Sequence, residues 1–245
     1  MRPNPRHMRF ASLCLILPAL EDKLPRSQET NRQGAGQMHL RNRRSIVHGL
    51  VPSVAVVLTL VLASPNSLSA VPEYITQIVG HNGKIYALET TTWGDKSVDS
   101  TKALLAEPGR DNVVLDLAPL GTFHLPEKVD PFWTTLNYHD LHIPKYANVD
   151  MAAFNKLVFD SLKPGGTYFI VDHAAAAGTG ATLSPTLHRI DAATVVQEVT
   201  AAGFKLVSRS DLLRNPTDDH TKKMFDPAIR MKTDQFILTF RKPRG

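Results

Sequence analysis

From Val71 onward, apolar positions alternate between short runs and longer segments in which they recur every three or four residues. Short runs rich in β-branched residues predict buried strands, and the longer segments predict amphipathic helices. The predicted strands are 84–88, 112–117, 132–137, 167–171, 204–210 and 235–241, and the predicted helices are 73–79, 97–106, 151–162 and 191–202. Strands that alternate with helices indicate βαβ units, so we predict an α/β fold with a mostly parallel sheet.

The chain before Val71 has a different pattern. Arg41, Arg43 and Arg44 precede an apolar stretch without charge at 46–63, and small residues follow up to Ala70. This order is typical of a secretory signal. We therefore expect a disordered extension at 1–37, a signal peptide or membrane anchor at 38–70 and an α/β domain at 71–245.

Two other interpretations of the apolar stretch stay open. An uncleaved stretch of this length is near the minimum for a membrane anchor, and residues 54–62 alternatively supply the buried first strand of the domain. Cleavage near Ala70 predicts a periplasmic or secreted protein. The membrane is then a partner only through this segment.

Charge and cysteine content narrow the function classes. The formal net charge of +5 comes from the first 70 residues, which hold nine Lys and Arg against three Asp and Glu. A nucleic-acid-binding domain carries a basic face on its fold, and residues 71–245 are nearly neutral, so we expect no nucleic-acid partner. Cys14 is the single cysteine, which excludes an intramolecular disulfide.

Several local phrases accompany this element order. They are Leu162-Lys-Pro-Gly-Gly-Thr-Tyr-Phe-Ile-Val171, Ala201-Ala-Gly-Phe-Lys205, Asn137-Tyr-His-Asp140, Asp172-His173, Leu187-His-Arg-Ile-Asp191 and Leu213-Arg-Asn-Pro216. Together they resemble class I S-adenosylmethionine-dependent methyltransferases, and in particular a bacterial branch of predicted exported methyltransferases. The resemblance covers roughly residues 72–243. It implies a Rossmann-like three-layer sandwich whose mostly parallel sheet ends in an antiparallel closing strand.

The resemblance also implies S-adenosyl-L-methionine as cofactor and a small-molecule methyl acceptor. Ligands of open α/β sheets bind outside the carboxyl ends of the strands. Glu89 matches the acid that accepts hydrogen bonds from the ribose hydroxyls. Asp116 matches the position that approaches the adenine amino group, and Leu117 is placed to pack on the base.

The segment after the strand 132–137 carries the candidate reacting groups. Asn137 is expected to hold the polar end of the donor or an acceptor amine. His139 is expected to remove a proton from the acceptor, since imidazole titrates near neutral pH. Tyr138 is expected to lie against the sulfonium, because aromatic faces attract cations. Alternatively, these side chains only cap and solvate a loop.

A metal site is not expected. His139, His173 and His188 match no short ligand spacing, whereas a metal site needs three or four ligands in proper geometry. Asp191 has a simpler role as the N-cap of the helix that follows it, and Asp150 is likewise expected to cap the helix 151–162.

The resemblance fails at the first glycine-rich motif. Residues 63–70 contain neither glycine nor acid, and Pro65 lacks a backbone donor. The first strand is therefore either absent or replaced by the apolar run, and cofactor affinity should be reduced. A non-catalytic binding or scaffold protein on the same fold is one alternative, and an NAD(P)-dependent oxidoreductase is another, although the latter also needs a glycine loop.

Overall fold

The computed structural model describes residues 55–59, 79, 83–90, 95–147 and 149–245. Every described residue belongs to one compact unit, Ser53–Gly245. Three predicted segments lie wholly or mostly outside the described residues. They are the extension at 1–37, the segment at 38–70 apart from residues 55–59, and the helix at 73–79 apart from residue 79. In the described part, none of the helices has the length and apolar character needed to cross a membrane.

Seven strands form one sheet. They are β1 (Ala55–Thr59), β2 (Lys84–Glu89), β3 (Val113–Leu117), β4 (Val129–Thr135), β5 (Leu162–His173), β6 (Lys205–Ser210) and β7 (Gln235–Arg241). Their order is β3-β2-β1-β4-β5-β7-β6, and β7 runs antiparallel to both of its neighbours. The predicted α/β fold with a mostly parallel sheet and an antiparallel closing strand is confirmed.

The apolar run before Val71 supplies the central strand. In β1, Val57 pairs with Tyr86 of β2 on one side and with Phe132 of β4 on the other, both in parallel register. Of the alternatives left open by the sequence, the first strand is thus replaced by this run and is not absent. Its removal would leave unpaired backbone groups on two neighbouring strands.

The remaining described elements are two short 3₁₀ helices, Leu120–Thr122 and His139–His142, and four α-helices: α1 (Asp95–Leu105), α2 (Met151–Ser161), α3 (Ser184–Leu187) and α4 (Ala192–Ala201). Two of them begin at a side-chain cap. The Asp150 carboxylate accepts a hydrogen bond from the Ala153 backbone at 2.9 Å, and the Asp191 carboxylate accepts one from the Ala193 backbone at 2.9 Å. Both N-caps agree with the sequence-based expectation.

An aromatic core holds α2 and α4 against the sheet. The rings of Phe132 and Tyr168 meet edge to face at 5.4 Å between centroids, and Phe154, Phe204 and Phe240 are buried with them. Full burial of one such side chain contributes roughly 1.5–3 kcal/mol. This core fixes the positions of β4 and β5, whose carboxyl ends lead into several buried polar residues, among them Asn137, His139 and Asp172.

Several predicted boundaries differ from the structure, and the largest differences are in β4 and β5. The strand β5 begins at Leu162, five residues earlier than predicted, because Leu162 already pairs with Val129 of β4. The register then shifts, so that Thr167 pairs with Pro131, and Gly165 adopts a φ of +82° within this irregular stretch. The strand β4 ends at Thr135, two residues earlier than predicted, because Leu136 adopts a left-handed φ of 58°. The chain therefore turns before Asn137 and directs the next residues across the sheet edge.

Candidate functional site

The carboxyl ends of β2, β1 and β4 lie side by side. Thr59 of β1 pairs with Leu88 of β2 and with Thr134 of β4, so these three residues mark one level of the sheet. Glu89 is one residue beyond this level on one side of β1, and Asn137 is three residues beyond it on the other side. Strands two positions apart are separated by about 10 Å. The two candidates therefore flank one edge, as the sequence predicts.

Glu89 is a fully buried acid with a fixed orientation. One carboxylate oxygen accepts a hydrogen bond from the Thr90 backbone at 3.0 Å, and the other accepts one from the Thr101 hydroxyl of α1 at 3.1 Å. A buried carboxylate without such donors would be costly. The helix α1 thus positions the acid that closes β2.

Asp116 and Leu117 point to opposite faces of the sheet. Leu117 pairs with Glu89 and Asp116 pairs with Leu88, and paired residues of parallel strands share a face. Leu117 is 40% exposed. The Oδ2 atom of Asp116 is buried and has no hydrogen-bond partner among the residues that the structure describes. It is an acceptor suited to an amino group.

Tyr138 lies in the hydrophobic core. Its hydroxyl donates a hydrogen bond to Glu198 at 2.8 Å and accepts one from the Asn155 amide at 2.8 Å. Burial raises the pKa of this phenol well above its ordinary value, so it is neutral. These contacts join α2 and α4 to the turn after β4, and they favour a packing role over contact with a sulfonium.

His139 is held by a buried aspartate. Its backbone amide donates to Oδ2 of Asp172 at 2.7 Å, and its Nδ1 lies 2.7 Å from Oδ1 of the same carboxylate. The His173 backbone also donates to Asp172, at 2.7 Å. A carboxylate only accepts, so the proton in the His139–Asp172 contact is on Nδ1 and the Nε2 atom faces the other way.

The free face of His139 meets two further groups. Its Nε2 lies 3.1 Å from Oδ1 of Asp140 and 3.3 Å from Nδ1 of His188. The Nδ1 atom of His188 in turn lies 3.2 Å from Oδ1 of Asp140. From the sequence, His139 and His188 were grouped with His173, and the part played by Asp140 was not predicted. The imidazole of His173 instead contacts the Thr233 hydroxyl at 2.7 Å. The adjacency of Asp140 to His139 was the available signal.

The electrostatics of this cluster fix the charge of His139. Burial on its own would lower the pKa of His139, but the Asp172 charge and hydrogen bonds to Asp140 and Asp172 raise it to about 10. Burial would likewise raise the pKa of Asp140, but hydrogen bonds from His139 and His188 lower it to about 2. Without another cation the His139 ring is protonated at neutral pH, which does not suit the proton-acceptor role that the sequence suggested.

Arg189 anchors the segment that presents His188. The fully buried guanidinium donates to both oxygens of Asp218, at 3.1 and 2.8 Å, and to the carbonyl groups of Ala174 and Lys222, each at 2.9 Å. The sequence analysis gave this residue no role. Because Nη2 contacts both Asp218 oxygens and the other two guanidinium nitrogens donate to backbone carbonyls, the Arg189 side chain is fixed and holds the neighbouring His188 in place.

Comparison with solved structures shows that the fold of this chain is a known one. The [4+2]-cyclase SpnF matches with a TM-score of 0.55 and 15% identity, over 80% of this chain and 77% of its own. The glycopeptide N-methyltransferase MtfA complexed with S-adenosyl-L-methionine matches with a TM-score of 0.51 and 15% identity, over 79% and 82%. A SAM-dependent methyltransferase from Aquifex aeolicus matches with a TM-score of 0.51 and 16% identity, over 77% and 81%.

No protein-family model matches the sequence, and no curated protein matches it in a sequence comparison. At these identities the structural likeness establishes the fold, which is that of the class I S-adenosylmethionine-dependent methyltransferases. SpnF shows that cyclisation also occurs on this fold. The function must therefore be argued from the site.

Proposed function

We propose that this protein is an S-adenosyl-L-methionine-dependent methyltransferase that acts on a small-molecule acceptor. The observation that carries the proposal is the placement of buried Glu89 and buried Asn137 on either side of the central strand, at the carboxyl edge of a sheet with this strand order. Ligands of open α/β sheets bind at this edge. The cofactor named for MtfA and for the Aquifex aeolicus protein is consistent with the assignment.

Two residues on the β2–β3 side fit the cofactor. Glu89 offers carboxylate oxygens for the ribose hydroxyls, and Leu117 offers an apolar surface on the same face for the adenine ring. The buried Oδ2 of Asp116 is an acceptor suited to an amino group, but it points to the opposite face of the sheet, so the adenine role suggested for Asp116 does not fit a ring packed on Leu117. When bound, the cofactor supplies an electrophilic methyl group, and the protein's share of the rate comes largely from placing the acceptor in line with it.

The residues on the β4 side orient the reacting end. Asn137 is 1% exposed and presents an amide at the end of β4, where it orients the polar end of the donor or an acceptor amine. His139 acts as a positioning residue, because its two ring nitrogens are engaged with Asp172 and Asp140. The acceptor is therefore expected to be a nucleophile that does not require proton transfer to His139.

Reduced cofactor affinity belongs to the same proposal. The sequence has no glycine between Thr59, where β1 ends, and Gly80. A glycine-rich turn after the first strand lets the backbone approach a nucleotide closely. A side chain at each of these positions hinders that approach, so we expect weak binding.

Calorimetric titration of S-adenosylhomocysteine into the full chain tests the proposal. Binding to the wild-type protein is expected, and Glu89→Ala should weaken it at least about tenfold, the loss of roughly one charged hydrogen bond. Glu107→Ala, at a 57% exposed side chain, is the matched control and should bind normally. Absence of binding by a folded wild-type chain would favour the non-catalytic scaffold alternative, and equal affinity of Glu89→Ala would exclude its ribose role.

The cellular location is a separate part of the proposal. Export to the periplasm or medium rests on the arginines and the apolar run at 41–63, which resemble a secretory signal. Since the same run contributes β1, we propose that the functional form keeps residues 55–59. Mass spectrometry of the purified protein's N-terminus tests this: a start upstream of residue 55 supports it, and a mature start near Val71 contradicts it.

A further inference from the structure

We propose that His139, Asp140 and His188 form a binding site for a divalent transition-metal ion such as Zn²⁺. Their three facing atoms are buried and converge, and they are the group in the described part of the chain whose donor atoms approach closely enough to share one ion. This inference is independent of the proposed methyltransferase function. It also replaces the expectation, drawn from sequence spacing, that no metal is present.

The distances match metal coordination. The atoms Nε2 of His139, Oδ1 of Asp140 and Nδ1 of His188 form a triangle with sides of 3.1, 3.2 and 3.3 Å. Ligands about 2.0–2.1 Å from a tetrahedral zinc ion lie about 3.3–3.4 Å apart. The observed sides are only slightly shorter than this, so a small expansion of the triangle would let the three atoms occupy one face of a tetrahedron around the ion.

The ligand types also match. Two imidazoles and one carboxylate, with a fourth position left for water or substrate, are a ligand set found at catalytic zinc sites. The second nitrogen of His139 contacts Asp172 at 2.7 Å, which is the carboxylate–histidine arrangement that orients metal ligands and raises their basicity. Asp172 is itself fixed by two backbone donors.

Charge gives an independent reason. Asp172 is fully buried and Asp140 is 7% exposed, so with neutral imidazoles the cluster holds two buried negative charges. The buried Arg189 is already paired with Asp218. Buried charges are normally paired or bound to metal, and a dication would balance these two carboxylates. The competing explanation is protonation of the imidazoles, which the experiment must distinguish.

The backbone of His188 is consistent with a functional constraint. It adopts a left-handed φ of 54° immediately after the short helix α3, and few residues other than glycine do so. Rings of Tyr146 and Phe225 pack against the imidazole at 5.8 and 5.1 Å between centroids. The strained position is thus held by packing, and it directs Nδ1 toward His139 and Asp140.

The experiment titrates the full chain, freed of metal with a chelator, with Co²⁺ and with Zn²⁺ in separate arms. We expect one Co²⁺ per chain with visible absorption of tetrahedral type, which reports the coordination geometry in the wild-type protein without any variant. Zn²⁺ should displace the Co²⁺ and abolish the absorption. Absence of a stoichiometric Co²⁺ spectrum, or a spectrum of octahedral type that follows weak surface binding, would overturn the proposal in favour of a proton-linked cluster.

Variants then assign the site. His188→Ala should lower Zn²⁺ affinity by at least about 100-fold, and Asp172→Asn should lower it about 10–100-fold, as is usual for a carboxylate that orients a ligand. His124→Ala removes an exposed histidine and is the matched control, with unchanged affinity. Loss of binding in the His124 variant, or normal binding in a folded His188 variant, would contradict the assignment.

Discussion

The central strand divides the sheet into two unlike halves. On one side, β4, β5, β7 and β6 carry the aromatic core and a dense set of buried hydrogen bonds around His139, Asp172 and Arg189. On the other side, β2 and β3 carry few aromatic contacts, and Val114 and Leu117 of the edge strand are 47% and 40% exposed.

This difference indicates how the proposed site is built. The four-strand half is organised before any ligand binds, since its polar side chains already hold one another in place. The two-strand half presents Glu89 and Leu117, and it is joined to the rest of the sheet through β1 alone among the described strands. The cofactor side of the site therefore depends on the correct pairing of β1.

The largest effect is expected from removal of β1. Residues 71–245 without the preceding chain should not unfold cooperatively, because two neighbouring strands lose their shared partner and total stabilities are only about 5–15 kcal/mol. Val57→Pro in the full chain should also destabilise the fold, since proline cannot donate a backbone hydrogen bond within a central strand. Circular dichroism melts check both. Val57→Thr keeps the backbone donor and should still melt cooperatively, and a cooperative melt of 71–245 would contradict the account.

The next largest effect concerns the four-strand half. Arg189→Met leaves Asp218 buried without its partner, which typically costs about 3–5 kcal/mol. The exposed pair Lys156–Asp160 supplies the control, since Lys156→Met should cost less than about 1 kcal/mol. Urea denaturation measures both values. Similar losses for the two variants would show that the Arg189 network does not stabilise this half.

The Arg189–Asp218 pair also predicts how the stability of the fold depends on pH. Burial would raise the pKa of Asp218, but donors from the backbone of Asp234, from Arg189 and from the backbone of His220 lower it below its ordinary value. A carboxyl group whose pKa is lower in the folded state stabilises the fold above its unfolded pKa of about 3.9 and loses this contribution as the pH falls toward the folded value. Asp218→Asn should flatten the stability curve below about pH 4. A slope equal to that of the wild type would be inconsistent with this assignment.

A variant of Tyr138 distinguishes a packing role of this residue from a role in cofactor binding. Tyr138→Phe removes the hydrogen bonds with Glu198 and Asn155 and should cost about 1–3 kcal/mol in urea denaturation. Affinity for S-adenosylhomocysteine should not change, because the hydroxyl and ring lie in the core. A stable Tyr138→Phe variant with weakened cofactor binding would instead support a direct role at the sulfonium.

The smallest expected effect concerns the two-strand half and tests which face of it contacts the cofactor. Leu117→Ala should weaken S-adenosylhomocysteine binding by at most about 5–30-fold, since Leu117 shares the face of Glu89 and the variant loses at most about 1–2 kcal/mol of apolar contact. Val114→Ala, exposed on the opposite face, is the control. Calorimetric titration of S-adenosylhomocysteine into both variants measures the two affinities. A larger effect of Val114→Ala would show that the cofactor lies on the other face.

Sequence reasoning succeeded where local chemistry decides the structure. The strands 84–89 and 235–241 and the caps Asp150 and Asp191 follow from periodicity and side-chain capping within a few residues. It placed Glu89 and Asn137 at one edge through the family's element order. These features need no knowledge of distant contacts.

It failed where distant segments meet. Asp140 and His188 are 48 positions apart, and their approach depends on the left-handed turn at His188 and on the buried Arg189–Asp218 pair. The role of Tyr138 likewise depends on α2 and α4 packing around it. The apolar run at 54–62 was ambiguous, since a buried strand and a signal segment have similar hydropathy.

Hydrogen–deuterium exchange of the full chain, followed by peptides that cover residues 55–59, tests the central claim most directly. If Ala55–Thr59 is paired on both sides with β2 and β4, its amides should exchange as slowly as those of β4, because they open only with the sheet. Complete exchange of this peptide within seconds, while β4 and β5 stay protected, would contradict a sheet built on this strand.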